Sequence, residues 1–157
     1  MKKKSHSNIY IGIDPGASGG ICVIEDGFIK AYPCPRDIQD RALVFAMAIS
    51  STDTKNVIPF IEKVWARPND AKGSIWKFAE NYGIWKGIAS AYEFNLIEVS
   101  PQKWMRYFEV PKLEKTRRKR FLKDKAKSLY PDLKKVTLKT ADAILIATYA
   151  KENNNNK

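Results

Sequence analysis

The first part of the chain contains three short apolar segments joined by tight turns, and this pattern restricts the folds open to it. A strand is predicted at 9–14, followed by a Gly-rich turn at 15–20 and a second strand at 21–25. Asp26-Gly27 is a typical hairpin turn, so 28–32 is predicted to return as a third strand. Strands joined by connections this short pair antiparallel with their neighbours. The chain is therefore predicted to begin with an antiparallel meander.

The remaining segments alternate between helices and short apolar strands. Val57–Glu62 is an almost unbroken apolar run, which is typical of a strand buried on both faces. A last short strand is predicted at 96–99, and helices are predicted at 38–50, 74–92 with Ser74 as N-cap, 101–108, 115–130 and 139–151. This order predicts an α/β fold, a mixed five-stranded sheet with helices on both faces. One domain is expected at 8–151, between a basic tail at 1–7 and a disordered polar tail at 152–157.

Length and composition narrow the class of protein. A chain of 157 residues supports one well-filled core, and no apolar run approaches the ~20 residues that cross a bilayer. The basic start is not followed by the apolar region of a signal peptide. Cys22 and Cys34 form neither a disulfide framework nor a metal-binding spacing, so we expect reduced packing residues. These features favour a cytoplasmic protein of a bacterium or phage, and they leave an organelle open.

Three carboxylates lie beside the apolar segments. Asp14 and Glu62 each end a predicted strand, and Asp142 comes directly before the apolar run 143–147. Each acid, taken alone, has an ordinary explanation. Asp14 can form a turn, Glu62 can be a surface residue at a strand end, and Asp142 can stabilise the N-terminus of a helix. An acid at the end of a buried strand is costly unless positive charge meets it. Together the three acids therefore predict one site for divalent cations.

Positive charge is concentrated in one part of the chain. The formal net charge is +11, and residues 103–139 contain 14 of the 28 Lys and Arg with only 4 Asp and Glu. A solvated helix face is one explanation, and an anionic membrane surface is another. The sequence shows no basic amphipathic helix with an exposed aromatic face, which binding to a membrane surface would require. The clustering therefore favours nucleic acid as the partner.

Acids and cations together suggest phosphodiester hydrolysis. Two Mg²⁺ ions about 3.5–4 Å apart can activate a water, neutralise the phosphoryl oxygens and assist the leaving oxygen. Carboxylate oxygens suit Mg²⁺, and no Cys or His cluster suggests zinc. In this arrangement Asp14, on the first strand, is expected to bridge both ions.

Five segments in order resemble RuvC-type Holliday junction resolvases. IGIDPG at 11–16, IEKV at 61–64 and ADAILIA at 141–147 resemble the three acidic motifs of that family. FAENYGIWKGI at 78–88 and VSPQKW at 99–104 resemble the long helix, and the segment after it, in the phage and chloroplast branches. The resemblance extends over roughly residues 9–149, which makes it more specific than any single motif.

The resemblance implies an RNase H-like fold, a homodimer, and paired nicking of four-way DNA junctions that leaves 5′-phosphate and 3′-hydroxyl ends. It implies that Asp14, Glu62 and Asp142 bind Mg²⁺, or Mn²⁺ in its place, with two ions per site. The family usually has Asp or His three residues before the last acid, whereas this chain has Lys139, which cannot bind a metal while it is charged. Two outcomes are open: Lys139 is a catalytic residue that contacts the scissile phosphate, or the second ion is held more weakly.

The same resemblance and the charge pattern predict the DNA contacts. Trp65 falls where the family carries an aromatic that stacks on bases. A buried core position is the alternative for this tryptophan. The full set of expected DNA contacts is Trp65, Arg67, Lys72, Lys103, Lys115, Arg117, Arg118, Lys119 and Arg120. The helix at 74–92 carries aromatic and small residues, including Gly83 and Gly87, whose spacing predicts a close backbone contact. It is the expected dimer interface.

Three other functions fit parts of the pattern. The turn after Asp14 also resembles the phosphate loop of actin-like ATPases, but those proteins need two such domains and this chain has room for one. A non-catalytic junction-binding protein would use the acids only for its fold. A related nuclease that acts on RNA, or on branched DNA in general, is the nearest alternative.

Overall fold

The computed structural model of the protein describes residues 8–49, 56–65, 68 and 70–154. The predicted tail at 1–7, the last residues of the polar tail and Arg67 lie outside the described residues. Five strands form one sheet: β1 (Ile9–Asp14), β2 (Gly20–Glu25), β3 (Phe28–Pro33), β4 (Val57–Glu62) and β5 (Ile97–Val99). Five helices accompany them: α1 (Ile38–Ile49), α2 (Lys72–Ala91), α3 (Pro101–Tyr107), α4 (Lys115–Leu129) and α5 (Ala141–Asn154).

The sheet is mixed, as the sequence predicts. Its strand order is β3-β2-β1-β4-β5. Strand β1 pairs antiparallel with β2, which pairs antiparallel with β3, so the predicted meander is confirmed. On its other edge β1 runs parallel to β4, and β4 runs parallel to β5. Strand β1 therefore lies at the centre of the sheet.

Helices cover both faces of this sheet, as predicted. Ile9, Ile11 and Ile13 of β1 are fully buried against α1 and α2. Tyr10 belongs to the opposite core, which contains α5 and residues of α3 and α4. Because successive side chains on a strand point to opposite faces, Asp14 lies on the Tyr10 side. Helix α5 is buried on all sides through its first ten residues, and so forms the centre of that second core.

Gly12 permits the closest contact between the sheet and α5. A Cβ at this position would overlap the backbone of α5 at Ala143 and Ala147. Only glycine, which has no side chain, allows β1 and α5 to pack at this distance. This contact fixes the helix that carries Asp142 directly over the strand that carries Asp14.

Several predicted boundaries are wrong. Helix α2 begins at Lys72 after Ala71, which makes no side-chain cap, so Ser74 is not the N-cap. Helix α5 begins at Ala141 and continues to Asn154 rather than ending before a disordered tail. Its last turn is supported by a 2.9 Å hydrogen bond from Asn153 Nδ2 to the Tyr149 carbonyl.

The close backbone contact predicted at Gly83 and Gly87 is also absent among the described residues. A Cβ at either position would meet nothing within 4 Å. Both glycines lie on the exposed side of α2, because the buried side carries Asn81, Trp85, Ile88 and Ala89. Within the described ranges, none of the helices has the length and apolar character needed to cross a membrane.

Candidate active site

Three carboxylates meet on one face of the sheet, at the carboxyl ends of its central strands. Asp14 ends β1 and Glu62 ends β4, and these strands are parallel with Ile13 paired to Ile61. Phe60 lies in the same core as Tyr10, so Glu62 and Asp14 point to the same face. Asp142 is the second residue of α5, which packs on that face, and its charge acts on both strand acids.

The glycine-rich turn encloses Asp14. The backbone N–H of Gly16 donates a 3.1 Å hydrogen bond to Asp14 Oδ1. The turn is closed by a 2.8 Å hydrogen bond from Gly19 N to the Gly16 carbonyl. A Cβ at Gly19 would lie 2.6 Å from the carboxyl carbon of Asp14, so a larger residue would displace the acid. The turn thus holds the carboxylate through its backbone rather than through a charged side chain.

A buried tryptophan orients Glu62. Trp104 on α3 is fully buried, and its indole N–H donates a 2.8 Å hydrogen bond to Glu62 Oε2. Helix α3 is fixed at its start by Ser100, whose side chain accepts a hydrogen bond from Lys103 N. The N–H of Lys63 donates to the Val99 carbonyl, which ties the end of β4 to the start of α3. Glu62 Oε2 is therefore held in place.

Asp142 pairs with a lysine from α4. Lys119 Nζ lies 2.7 Å from Asp142 Oδ2, and both side chains are largely removed from solvent, with 33% and 9% of their surfaces exposed. Asp142 Oδ1 is buried and has no hydrogen-bond partner within the described part of the chain. An unpartnered buried carboxylate oxygen is costly, and a cation at this position would remove the cost.

The acids repel one another as charged groups. Burial raises the pKa of Asp14 to about 6, and the Asp142 charge adds to the effect. Burial, followed by the Asp14 charge, raises the pKa of Glu62 to about 8, although the Trp104 hydrogen bond opposes this change. For Lys119, burial favours the neutral amine, but Asp142, Asp14 and Glu62 together outweigh it and raise the pKa. The ammonium therefore remains charged among the acids.

The donor set suits a hard divalent cation. Asp14, Glu62 and Asp142 offer only oxygen atoms, and one oxygen of Asp142 lacks a partner. As the side chains stand, however, no group of three or more His, Cys, Asp or Glu in the described residues is arranged to hold one metal ion. Lys119 is in contact with Asp142, and its charge also acts on Asp14 and Glu62. The assignment of all three acids as ligands therefore remains a prediction.

The other predicted site residues lie outside this cluster. Lys139 is exposed, in the turn that precedes α5. Trp65 is 47% exposed, which excludes the alternative of a core tryptophan. It lines a groove with Val64, Ile75, Phe78 and Tyr82. Exposed positions are also found for Lys72, Lys103, Lys115, Arg117 and Arg120, whereas Arg118 is half-buried.

Two contacts of the cluster were not predicted from the sequence. Trp104 and Glu62 are 42 residues apart, and no local pattern links them. Lys119 was predicted to contact DNA, whereas its ammonium contacts Asp142. A signal for this inward position does exist, because Lys119 lies on the same side of α4 as the buried Leu122 and Ala126.

Comparison with solved structures identifies the fold. The structure of Thermus thermophilus RuvC in complex with a Holliday junction substrate matches with a TM-score of 0.57 and 15% identity, covering 88% of this chain and 90% of that one. A further Thermus thermophilus RuvC structure matches with a TM-score of 0.55 and 18% identity, covering 92% and 96%. No protein-family model matches the sequence, and a search of curated proteins finds no match.

These matches define the class of fold to which the chain belongs. The chain is an α/β protein of the RNase H-like type, built on a mixed five-stranded sheet. Within that class its fold is that of RuvC, over about nine-tenths of the chain, as the sequence resemblance predicts. At 15–18% identity the likeness establishes the fold, and the activity has to be argued from the site.

Proposed function

We propose that this protein is a structure-selective endonuclease that cuts four-way DNA junctions by metal-dependent paired nicking. The observation that carries the proposal is the meeting of Asp14, Glu62 and Asp142 on one face of a RuvC fold. Burial and the charges of neighbouring acids raise the pKa values of Asp14 and Glu62, and perturbed carboxylates that lie close together are typical of functional sites. The same fold occurs in a RuvC that was solved with a Holliday junction substrate.

The residues of this chain have distinct parts in the proposed reaction. Asp14, Glu62 and Asp142 would hold Mg²⁺ or Mn²⁺ through carboxylate oxygens, and the raised pKa values of Asp14 and Glu62 would let protons compete with the cation for these two acids. Such a cation would polarise a phosphoryl oxygen of the DNA and make a bound water more acidic. Trp104 keeps Glu62 Oε2 turned in one direction, and Gly16 does the same for Asp14 Oδ1.

The basic surface adjoins this site through α4. Lys115, Arg117 and Arg120 are exposed on the helix that also carries Lys119 to the acids. Phosphates bound along α4 would therefore lead directly to the carboxylates. Contacts of this kind carry no sequence information, so recognition rests mainly on the shape of the DNA. Lys139, exposed just before α5, is proposed to contact the scissile phosphate.

Helix α2 is the proposed interface of a homodimer, which paired nicking of two strands requires. Its outer side presents Trp76, 73% exposed, in line with Gly83 and Gly87, and offers open space above both glycines. A helix of a second copy can approach closely where side chains are absent. Trp65, in the groove beside α2, is proposed to stack on a base near the junction centre.

One observation favours a second candidate, a protein that binds junctions without cutting them. Lys119 is bonded to Asp142, and the described side chains do not form a ready three-ligand set. In that case the acids and Lys119 would only stabilise the fold and would take no part in a reaction.

Cleavage assays separate these functions. Purified protein is incubated with labelled four-way, flap and linear duplex DNA and with an RNA duplex, each with Mg²⁺ or with EDTA. The proposal predicts symmetric nicks in the four-way junction with Mg²⁺ only, and products that a ligase can seal because they carry 5′-phosphates. Binding without nicks would support the non-catalytic candidate. Equal cutting of flaps or RNA would support the broader nuclease.

A further inference from the structure

A buried arginine joins three separate segments of the chain. Arg41, on α1, is only 5% exposed. Its Nε donates a 2.8 Å hydrogen bond to the Pro35 carbonyl, in the loop between β3 and α1. Its Nη1 donates a 2.7 Å hydrogen bond to Oδ1 of Asn81, which is itself buried on α2. The guanidinium therefore ties the loop that follows β3 to the middle of α2.

The surroundings of Arg41 indicate a role in geometry more than in stability. Both acceptors are neutral, a main-chain carbonyl and a side-chain amide. A buried cation is costly unless its surroundings compensate for the lost water, and an apolar side chain of similar size would fill the same space at lower cost. What an apolar residue cannot do is hold two acceptors in fixed relative directions, as a planar guanidinium does.

The loop held by Arg41 also holds the glycine-rich turn. Within this loop the backbone N–H of Cys34 donates a 2.8 Å hydrogen bond to the Gly19 carbonyl. Gly19 N closes the turn on the Gly16 carbonyl, and Gly16 N donates to Asp14 Oδ1. Because glycines restrict the backbone least, the shape of such a turn depends on contacts from outside it. A continuous series of hydrogen bonds therefore connects the guanidinium with the carboxylate.

We propose that Arg41 is a positioning residue for Asp14: it ties the loop after β3 to α2, and this loop fixes the turn that orients the carboxylate. The proposal deepens the proposed nuclease function and rests on it. Arg41 acts through the backbone of the turn and touches neither the DNA nor the reacting atoms. Since α2 is also the proposed dimer interface, this one side chain links the position of that helix to the position of Asp14.

Amide hydrogen exchange in the full-length protein in EDTA tests the first step without any measurement of activity. Arg41→Met removes both donors and keeps a long side chain. The Gly19 and Cys34 amides are then expected to exchange at least about tenfold faster than in the wild type. Tyr130→Phe is the control, since it removes a side-chain hydrogen bond to Thr148 at the C-terminal end of α4 instead. Unchanged exchange in folded Arg41→Met, or an equal acceleration in the control, would overturn the proposal.

Nicking of a four-way junction tests the second step. In single turnovers with Mg²⁺, Arg41→Met is expected to nick about 10- to 100-fold more slowly, because small displacements of a reacting group have effects of this size. Its junction Kd in EDTA is expected to stay within about twofold, since the phosphate contacts are unchanged. Nicking by Arg41→Met at the wild-type rate would overturn the proposal. A wild type that does not nick would overturn the proposed function, and the exchange rates would then decide whether Arg41 holds the turn.

Further variants separate the shape of the side chain from its charge. Arg41→Lys keeps the charge but cannot hold both acceptors in fixed directions, so it is expected to behave as Arg41→Met does in both assays. Asn81→Asp keeps an acceptor for Nη1 and is expected to keep the exchange rates of the wild type, whereas Asn81→Leu is expected to raise them. Wild-type behaviour of Arg41→Lys would overturn the role given to the guanidinium. If Arg41→Met does not fold, Asn81→Leu decides.

Discussion

The indole N–H of Trp104 and Oε2 of Glu62 are 2.8 Å apart, and this hydrogen bond joins the core beneath the sheet to the carboxylate cluster. One oxygen of Glu62 is fixed by the protein, which leaves the other to face a ligand. Loss of a group that orients a metal-binding side chain typically weakens metal binding by about one to two orders of magnitude. Trp104 is therefore a positioning residue in the proposed site.

Trp104→Phe is expected to weaken Mn²⁺ binding by roughly 10- to 100-fold, because Glu62 loses its donor. Trp85→Phe is the matched control. Trp85 is equally buried and lies on the opposite face of the sheet, away from the carboxylate cluster. Both variants lose similar packing, and thermal melts will show this. Equal metal affinity in the two variants would contradict the role given to Trp104.

The raised pKa of Glu62 predicts an unusual dependence of stability on pH. In the folded chain the pKa of this carboxyl is about 8 rather than 4.5. Between pH 4.5 and about 8 the folded state therefore binds a proton at Glu62 that the unfolded state has lost. Its contribution to the free energy of unfolding is therefore highest below about pH 4.5 and falls as the pH rises through about 8. Mg²⁺ is expected to reverse this loss by replacing the proton.

Glu62→Gln isolates the effect, because the amide oxygen can still accept from Trp104 and carries no charge. In EDTA at about pH 9 the variant is expected to be more stable than the wild type by on the order of 1–2 kcal/mol, after allowance for solvent screening. That gain raises Tm by roughly 2–4 °C per kcal/mol. The difference should vanish at about pH 4. A variant less stable than the wild type at the higher pH would count against the charge repulsion.

Addition of a single methyl group at Gly12 is expected to destabilise the folded protein strongly. In Gly12→Ala the new Cβ meets the backbone of α5, which cannot move aside as a flexible side chain would, so a loss of about 3 kcal/mol or more is expected. Gly73→Ala makes the same change in the first turn of α2, where nothing lies within 4 Å, and is expected to stabilise the protein by up to about 1 kcal/mol. Urea unfolding measures both. A neutral Gly12→Ala would show that α5 does not pack this closely.

If the outer side of α2 forms the dimer interface, a substitution there is expected to give a monomer that is still well folded. Gly83→Arg places a long charged side chain in space that is open in the single chain. The monomer should be no less stable, since Gly is a poor helix former, whereas a partner on this side of α2 would be blocked. Gln39→Arg, exposed on α1, adds the same charge as a control. Light scattering at micromolar protein is expected to show a dimer for the control and a monomer for Gly83→Arg. A dimeric Gly83→Arg would place the interface elsewhere.

Much of the fold was predictable because the relevant signals are local. Asp26-Gly27 gives the hairpin between β2 and β3, and the unbroken apolar run of β4 indicates burial on both faces. That the three acids lie on one face of the sheet was predictable for the same reason, since each adjoins an apolar segment of the core, whereas their role as metal ligands stays a prediction. Helix boundaries were harder to predict, because a helix can begin without a capping side chain. Helix α2 begins at Lys72 without any side-chain cap.

The contacts that complete the site were not predictable, because each joins distant elements. Nothing near Trp104 in the sequence indicates that its N–H faces Glu62. In a helix as rich in cations as α4, charge alone does not tell which lysine points inward. Only the position of Lys119 relative to Leu122 and Ala126 separates it from its neighbours, and that pattern is meaningful only once the packing side of α4 is known.

Asp14→Asn tests the central claim most directly, because it removes a charge and leaves the shape of the side chain unchanged. Wild-type and variant proteins are compared for binding to a four-way junction in EDTA and for nicking of the same junction with Mg²⁺. We predict that the variant binds about as tightly as the wild type, since the phosphate contacts of α4 remain, and that its nicking rate falls by at least about 1000-fold. Nicking at the wild-type rate would show that the cluster of Asp14, Glu62 and Asp142 is not the active site.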